Sequence, residues 1–293
     1  MARNFLALFF SLLALLNINL SANPTQATAI PYILVSVAPD KFFVEKISGD
    51  TVKVELMVPA GASSHTFEPT PKQMLNASHA DIWFQIGESF ETRASRALQG
   101  HNPKLTLIDL RKGVDLIIDE EGGGCHCSAH AKECCVDPHF WLSARQAKIQ
   151  ARTIADALTQ RYPQHAQLYA KNLHSFIQEL EELNKEIEAK LAPLQNRTIM
   201  VSHPAYAYFC RDYALKQLSI EFEGKDPSPR QLTNVLTRAR HAGIKTVFIQ
   251  MQYNNKGALL IAKELGAKVV TLDPYAEDYF TMMREVASHF AAQ

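Results

Sequence analysis

From Gly122 to Ser143 the chain reads GGGCHCSAHAKECCVDPHFWLS, placing four cysteines and three histidines in a stretch too polar and Gly-broken to pack a core. Thiolate and imidazole are the ligands of Zn²⁺ and other borderline metals. The stretch ends with His139 wedged between Pro138 and the aromatic pair Phe140-Trp141. Metal chemistry is the sharp reading. A disulfide-closed surface loop beside an ordinary buried histidine is the bland one, and the tract alone leaves both open.

Three further residues share the situation of His139. His65, His203 and Asp273 each follow strand-like sequence, and each has a proline close by (Pro69, Pro204, Pro274). A residue directly before proline is pushed out of the helical region, which holds His203 and Asp273 extended. Loops beyond the carboxyl ends of parallel strands are where open α/β sheets bind ligands. Taken singly, each histidine suits a core or capping role, and Asp before Pro is ordinary turn chemistry. Their agreement in position gives the set its weight. Three imidazoles and one carboxylate at one point form a fourfold shell suited to Zn²⁺. His79, His101, His165, His174, His241 and His289 lie among polar residues and read as solvated faces.

The elements that must carry these ligands alternate. PYILV, VKVEL, IWFQI and the segment 105–109 read as strands, with helices after Pro39, around 71–74 and from about Glu91. From Ser143 to Gln160 and from Gln164 to Leu191 the pattern turns helical. In the second segment Leu168, Leu173, Phe176, Ile177, Leu180, Leu183, Ile187 and Leu191 make one stripe. Coiled-coil pairing is the rival reading of that stripe. After Pro193 strands are expected at 198–202, 218–222, 246–251 and 268–272, with helices between them and a last helix from Glu277. The expected fold is therefore α/β, with two lobes that each hold a mostly parallel four-stranded sheet flanked by helices, joined by one long rigid spine helix. The expected divisions are 1–29 as a signal peptide and 30–142 as the first lobe, including a Cys/His-rich loop at 119–136. A helical segment follows at 143–192 and the second lobe at 193–293.

Composition bounds the function. Thirty basic residues balance thirty acidic ones among 293, which gives no electrostatic reason for nucleic acid or an anionic membrane as partner. Arg3 followed by FLALFFSLLALL is a run of signal-peptide length, and Ala27-Thr28-Ala29 is a cleavage candidate. A soluble periplasmic protein is expected after cleavage, in a compartment where Cys125, Cys127, Cys134 and Cys135 can form disulfides of undetermined pairing. H-E-x-x-H, G-x-S-x-G and G-x-x-x-x-G-K are all missing from the sequence. A shell filled by four protein ligands also favours capture over catalysis. The enzyme alternative is a hydrolase with three histidines on zinc and Asp273 as base. An adhesin with uncoordinated histidines is a third class.

PAGASSHTFEPTP (59–71), DPHFWLS (137–143), SHPAYAYF (202–209) and LDP (272–274) together resemble the zinc and manganese solute-binding proteins of bacterial ABC transporters. The resemblance implies two α/β lobes on a long helix, with one metal held between them by His65, His139, His203 and Asp273. It implies no enzyme activity, no organic substrate, and a monomer that delivers its cargo to a membrane permease. A histidine at 203, where manganese-type members have glutamate, is similar to the zinc-type branch; Mn²⁺ remains the alternative cargo. Gln250 departs from the acidic residue common in the family, and the loop before His139 is short and rich in cysteine.

Overall fold

The computed structural model describes residues 30–118, 136–221 and 228–293. The expected signal peptide and the four clustered cysteines with their pairings lie outside the described residues.

Two parallel sheets share one topology. The first, β2-β1-β3-β4, contains β1 (Tyr32–Val35), β2 (Lys53–Leu56), β3 (Ile82–Gln85) and β4 (Thr106–Asp109). The second, β6-β5-β7-β8, contains β5 (Thr198–Val201), β6 (Lys216–Ser219), β7 (Thr246–Gln250) and β8 (Lys268–Leu272). Helices α1 (Ala38–Ser48), α2 (Pro71–Ala77) and α3 (Ser89–His101) flank the first sheet. Helices α6 (Ala207–Asp212), α7 (Pro229–His241), α8 (Lys256–Leu265) and α9 (Tyr279–Ala291) flank the second. Between them run α4 (Ala144–Arg161) and α5 (Ala166–Leu191). In both sheets the strand order reverses beside the strand that comes first in sequence, β1 or β5, which opens a crevice at the carboxyl ends of the central strands.

The near-continuous apolar strands are explained by burial on both faces. Ile33 and Val35 point into one core cluster while Leu34, between them, joins another with Trp83 and Phe90. The second sheet does the same, with Ile199 and Val201 on one side and Met200 on the other. The inner faces of both sheets, together with α1, α4, α5 and α9, feed a single cluster that runs through the molecule. Each fully buried large apolar side chain in it contributes roughly 1.5–3 kcal/mol. One core thus ties the two sheets together.

Helix α5, 26 residues and about 39 Å long, is the spine of that core. Tyr169, Phe176, Leu180, Leu183, Ile187 and Leu191 are its buried positions. Leu168, expected in the stripe, is exposed. Tyr169 takes its place because it lies two turns before Phe176, and its hydroxyl meets Thr51 Oγ1 at 2.9 Å. The apolar face packs on α1, α4 and α9 within the chain, which uses up the surface that a coiled-coil partner would need. Strand β6 begins at Lys216, ahead of the expected Leu218. Its parallel register pairs Thr198 with Lys216, and an edge strand can start with a solvated side chain. Helix α9 starts at Tyr279, where the Asp278 side chain caps it by accepting from Thr281 N.

Asp40, in the first turn of α1, is fully buried, and neither carboxylate oxygen has a hydrogen-bond partner. Burial, and then the nearby Glu91, raise its pKa well above the ordinary value. The folded chain therefore holds a proton that the unfolded chain releases near pH ~3.9. Stability is full below that pH and is lost as pH rises toward the folded pKa. Asp40→Asn should raise the melting temperature at pH 7 by at least roughly 2–4 °C, the shift that about 1 kcal/mol gives. Near pH 4 the gain should vanish. Thermal scans at the two pH values check this, and equal shifts at both would remove ionisation as the cause.

Candidate metal centre

The three motif histidines come from three different connections. His65 lies in a short 3₁₀ turn, Ser64–Thr66, in the long connection between β2 and α2. Gly61, at φ 79°, reverses the chain just before it, in a conformation few side-chain-bearing residues adopt. His139 precedes a single 3₁₀ turn, Phe140–Leu142, and the N-cap Ser143 of α4. His203 follows β5 directly. Trp141 is fully buried below the site, and its Nε1 donates to Pro274 O at 2.9 Å, joining the His139 turn to the β8–α9 connection.

Each imidazole is held at Nδ1 by its own carboxylate. His65 Nδ1 lies 3.0 and 3.1 Å from the two oxygens of Glu88. His139 Nδ1 is 2.7 Å from Asp137 Oδ1, and His203 Nδ1 is 2.8 Å from Glu221 Oε2. Where the carboxylate is ionised it can only accept, so the ring proton sits on Nδ1 and Nε2 is left to face the other rings. Burial acts against this at Glu88, but His65 lowers that carboxyl overall, while burial pushes Asp137 up to about 7. Supporting bonds fix the carboxylates in turn. Ser64 Oγ donates to Glu88 at 2.5 Å, and the backbone N–H of His139 donates to Asp137 at 2.9 Å.

The rings face one another. His65 Nε2 and His203 Nε2 are 3.2 Å apart, and the ring centroids of the trio lie 5.0–5.3 Å from each other. Among the described residues these three form the group whose candidate ligand atoms all lie within 4.8 Å. A tetrahedron with bonds of ~2.0–2.1 Å has an edge of roughly 3.3 Å, so the His65–His203 spacing suits two nitrogens on one Zn²⁺. His139 Nε2 is buried with no hydrogen-bond partner. An orphaned buried acceptor costs about 1–3 kcal/mol, and a cation at the centre would relieve it.

Electrostatics divide the trio. Burial first, then repulsion by a charged His65, lowers His139 to about 3. His203 is likewise lowered to about 3, chiefly by burial, with the Glu221 bond working against it and His139 and His65 adding to the lowering. Burial also works to lower His65, but Glu88, through its charge and hydrogen bond, and then Asp137 and Glu221 raise it overall. Two rings thus stay neutral, and the third is the proton's preferred place.

Asp273 stands outside the trio. Its Oδ1 accepts from Gln252 Nε2 at 2.6 Å and from Tyr275 N at 3.0 Å. Tyr275 OH is 3.0 Å from Ser64 Oγ, so the Asp273 turn touches the residue beside His65. Tyr253 stacks on His203 at 4.1 Å and 15°. Gln250 is buried below, its Nε2 donating to His203 O at 3.4 Å. Of the six other described histidines and cysteine, Cys210 is buried and unpaired, His165 is half-buried beside Tyr169, and His79, His101, His174, His241 and His289 are exposed.

Sequence reasoning missed Glu88, Asp137, Glu221, Gln252 and Tyr253. Glu88 and Glu221 lie within three residues of a strand's carboxyl end, where ligand loops begin, and Asp137 is two residues from a candidate ligand. Those positions were the available signal.

The sequence model of a family described as "ZnuA: Zinc-uptake complex component A periplasmic" matches residues 33–293. A "Putative metal-binding protein" of Chlamydia muridarum is 34% identical over 269 residues, 92% of this chain and 92% of that one. The solved structure described as "Crystal structure of ZnuA" is 37% identical with a TM-score of 0.82, covering 89% of this chain and 98% of the other. The laminin-binding protein Lmb of Streptococcus agalactiae, described as a bifunctional protein with adhesin and metal transporting activity, is 27% identical with a TM-score of 0.78 over 90% and 98%.

Because a metal needs neutral imidazole, affinity for Zn²⁺ should fall as pH drops below the raised pKa of His65, by about tenfold per unit and with about one proton released per ion. Competition with a chromophoric chelator from pH 8 to 5 measures the slope. A three-proton slope, about a thousandfold per unit, would mean that His139 and His203 are not held neutral. Glu221→Gln should weaken Zn²⁺ binding roughly 10–100-fold while leaving one ion per chain, as calorimetry can determine.

Proposed function

The chain belongs to the family of periplasmic zinc-uptake components, metal-binding solute-binding proteins of ABC transport rather than enzymes, and from that membership we propose that it captures Zn²⁺ in the cleft between its sheets and delivers it to a membrane permease. One observation carries the choice of cargo: three imidazoles, each backed by a carboxylate on Nδ1, have ligand atoms within 4.8 Å of one another, and the Nε2 atoms of His65 and His203 stand at tetrahedral zinc spacing. Three nitrogen donors with one carboxylate oxygen suit Zn²⁺ better than the harder Mn²⁺. In this reading His65, His139 and His203 are ligands, and Asp273 swings in as the fourth once the ion is present.

Glu88 and Glu221, with Asp137 once it has lost its proton, make the cleft attractive to a dication before any bond forms. The same carboxylates stabilise the charge on the rings' N–H side when the ion binds. Residues 1–29 serve as the export leader, residues 30–142 and 193–293 as the two lobes, and 143–192 as the helical link between them. The protein acts as a monomer in the periplasm, and the permease receives the ion when the cleft is pressed against it.

Zinc should raise the melting temperature, since an ion at a hundred times its Kd adds about 2.7 kcal/mol to stability. That corresponds to roughly 5–10 °C. His139→Ala should abolish most of the rise. An unchanged rise in the variant would put the metal elsewhere, with the cysteine tract the first place to look.

A further inference from the structure

Beyond β7 the chain makes a tight turn that puts two consecutive residues on opposite sides of the metal centre. Asn255 Nδ2 donates to Gln250 O at 2.7 Å and to Tyr253 O at 3.0 Å, so the turn is closed by its own side chain. Tyr253 lies flat on His203 and fixes the plane of that ring. Gln252 reaches the other way and donates to Asp273 Oδ1 at 2.6 Å. The backbone N–H of Tyr275 donates to the same oxygen at 3.0 Å. Oδ1 thus holds two donors, Gln252 Nε2 and Tyr275 N, and Oδ2 is the oxygen left for a further partner.

We propose that Gln252 is a specificity-determining positioning residue, which occupies Asp273 Oδ1 so that the carboxylate can offer a metal only its second oxygen. The inference rests on Asp273 being the fourth ligand. An oxygen with both lone pairs engaged by N–H donors is a poor ligand, so the carboxylate is confined to one bond. Three imidazoles and one oxygen fill a tetrahedral shell, which is what Zn²⁺ takes. Ions that favour more oxygen donors, Mn²⁺ among them, would use both carboxylate oxygens and are refused the second. Selectivity then lies in an amide that never touches the ion. Tyr253 couples the two sides, because moving Gln252 also moves the plate against His203.

Gln252→Met keeps the length of the side chain and removes the donor. It should still bind one Zn²⁺ per chain, but the ratio of Zn²⁺ to Mn²⁺ affinity, measured by competition calorimetry, should fall at least about tenfold, at the low end of what supporting residues contribute. Co²⁺ loaded in place of zinc gives intense visible bands when four-coordinate and weak ones at higher coordination. The wild type should show the intense spectrum and Gln252→Met a weakened one. Gln252→Leu repeats the test if the Met variant does not fold by circular dichroism. Unchanged affinity ratio and spectrum in the folded variants would overturn the role of Gln252 and leave zinc capture standing. An unchanged Co²⁺ spectrum in Asp273→Ala would overturn it as well, by removing Asp273 from the shell. Failure of the wild type to bind Zn²⁺ would instead sink the capture reading itself.

Discussion

Everything in this molecule is arranged around three imidazole lone pairs that have been taken out of water and pointed at one another. That arrangement is unfavourable without a cation between the rings: a proton held by His65 can bridge one pair, but a buried acceptor with no donor loses its hydrogen bond to solvent. His65 Nε2 and His203 Nε2 at 3.2 Å can share one proton, whereas His139 Nε2, buried and unpartnered, keeps its place only because the surrounding structure enforces it. The enforcement comes from Glu88, Asp137 and Glu221, each bonded to the far nitrogen of one ring and each supplied by a different connection. Such frustration is what makes a site ready for a cation, since the ion supplies the partner that His139 Nε2 lacks.

The scaffold can sustain this because its two sheets are not independent. Ile33 and Val35 of one sheet and Ile199 and Val201 of the other share a cluster with α4, α5 and α9. Polar ties cross the same boundary: Trp141 Nε1 bonds Pro274 O, Tyr208 OH bonds Asp137 O, and Tyr279 OH bonds Trp141 O. The loops that follow β2, β3, β5, β6, β7 and β8 all supply residues to the one site, as expected at the carboxyl ends of parallel strands. A large swing of one half against the other would break core packing, so small loop and turn movements are the economical way to admit and release an ion.

Much of this could be read from residues alone. Strand-helix alternation gave two sheets because period-2 and apolar runs survive in β1, β3, β5 and β7, and the long stripe of α5 has no other explanation than a buried face. The histidines stood out because each lies in a loop after strand material or just before a long helix, with a proline close by. The carboxylates did not stand out, because a lone glutamate in a loop looks like any solvated residue until its partner is known. Glu221 lies 18 residues from His203 and Glu88 lies 23 from His65, so their pairing is set by sheet order, which local pattern does not encode. Tyr169 displaced Leu168 for a similar reason, since the helix face was fixed by neighbours in space.

In the connection after β4, the described residues on either side of 119–135 are tied to each other. Ile118 pairs with Val136 in an antiparallel bridge, and Asp137 N bonds Ile117 O at 2.9 Å. Asp137 and His139 are therefore placed from the stem. What fixes these two side chains is thus the pairing of 117–118 with 136–137, not the length of chain between them. The same stem is a natural graft point, where a fluorescent or affinity module could be spliced in to report on the neighbouring imidazole without rebuilding it.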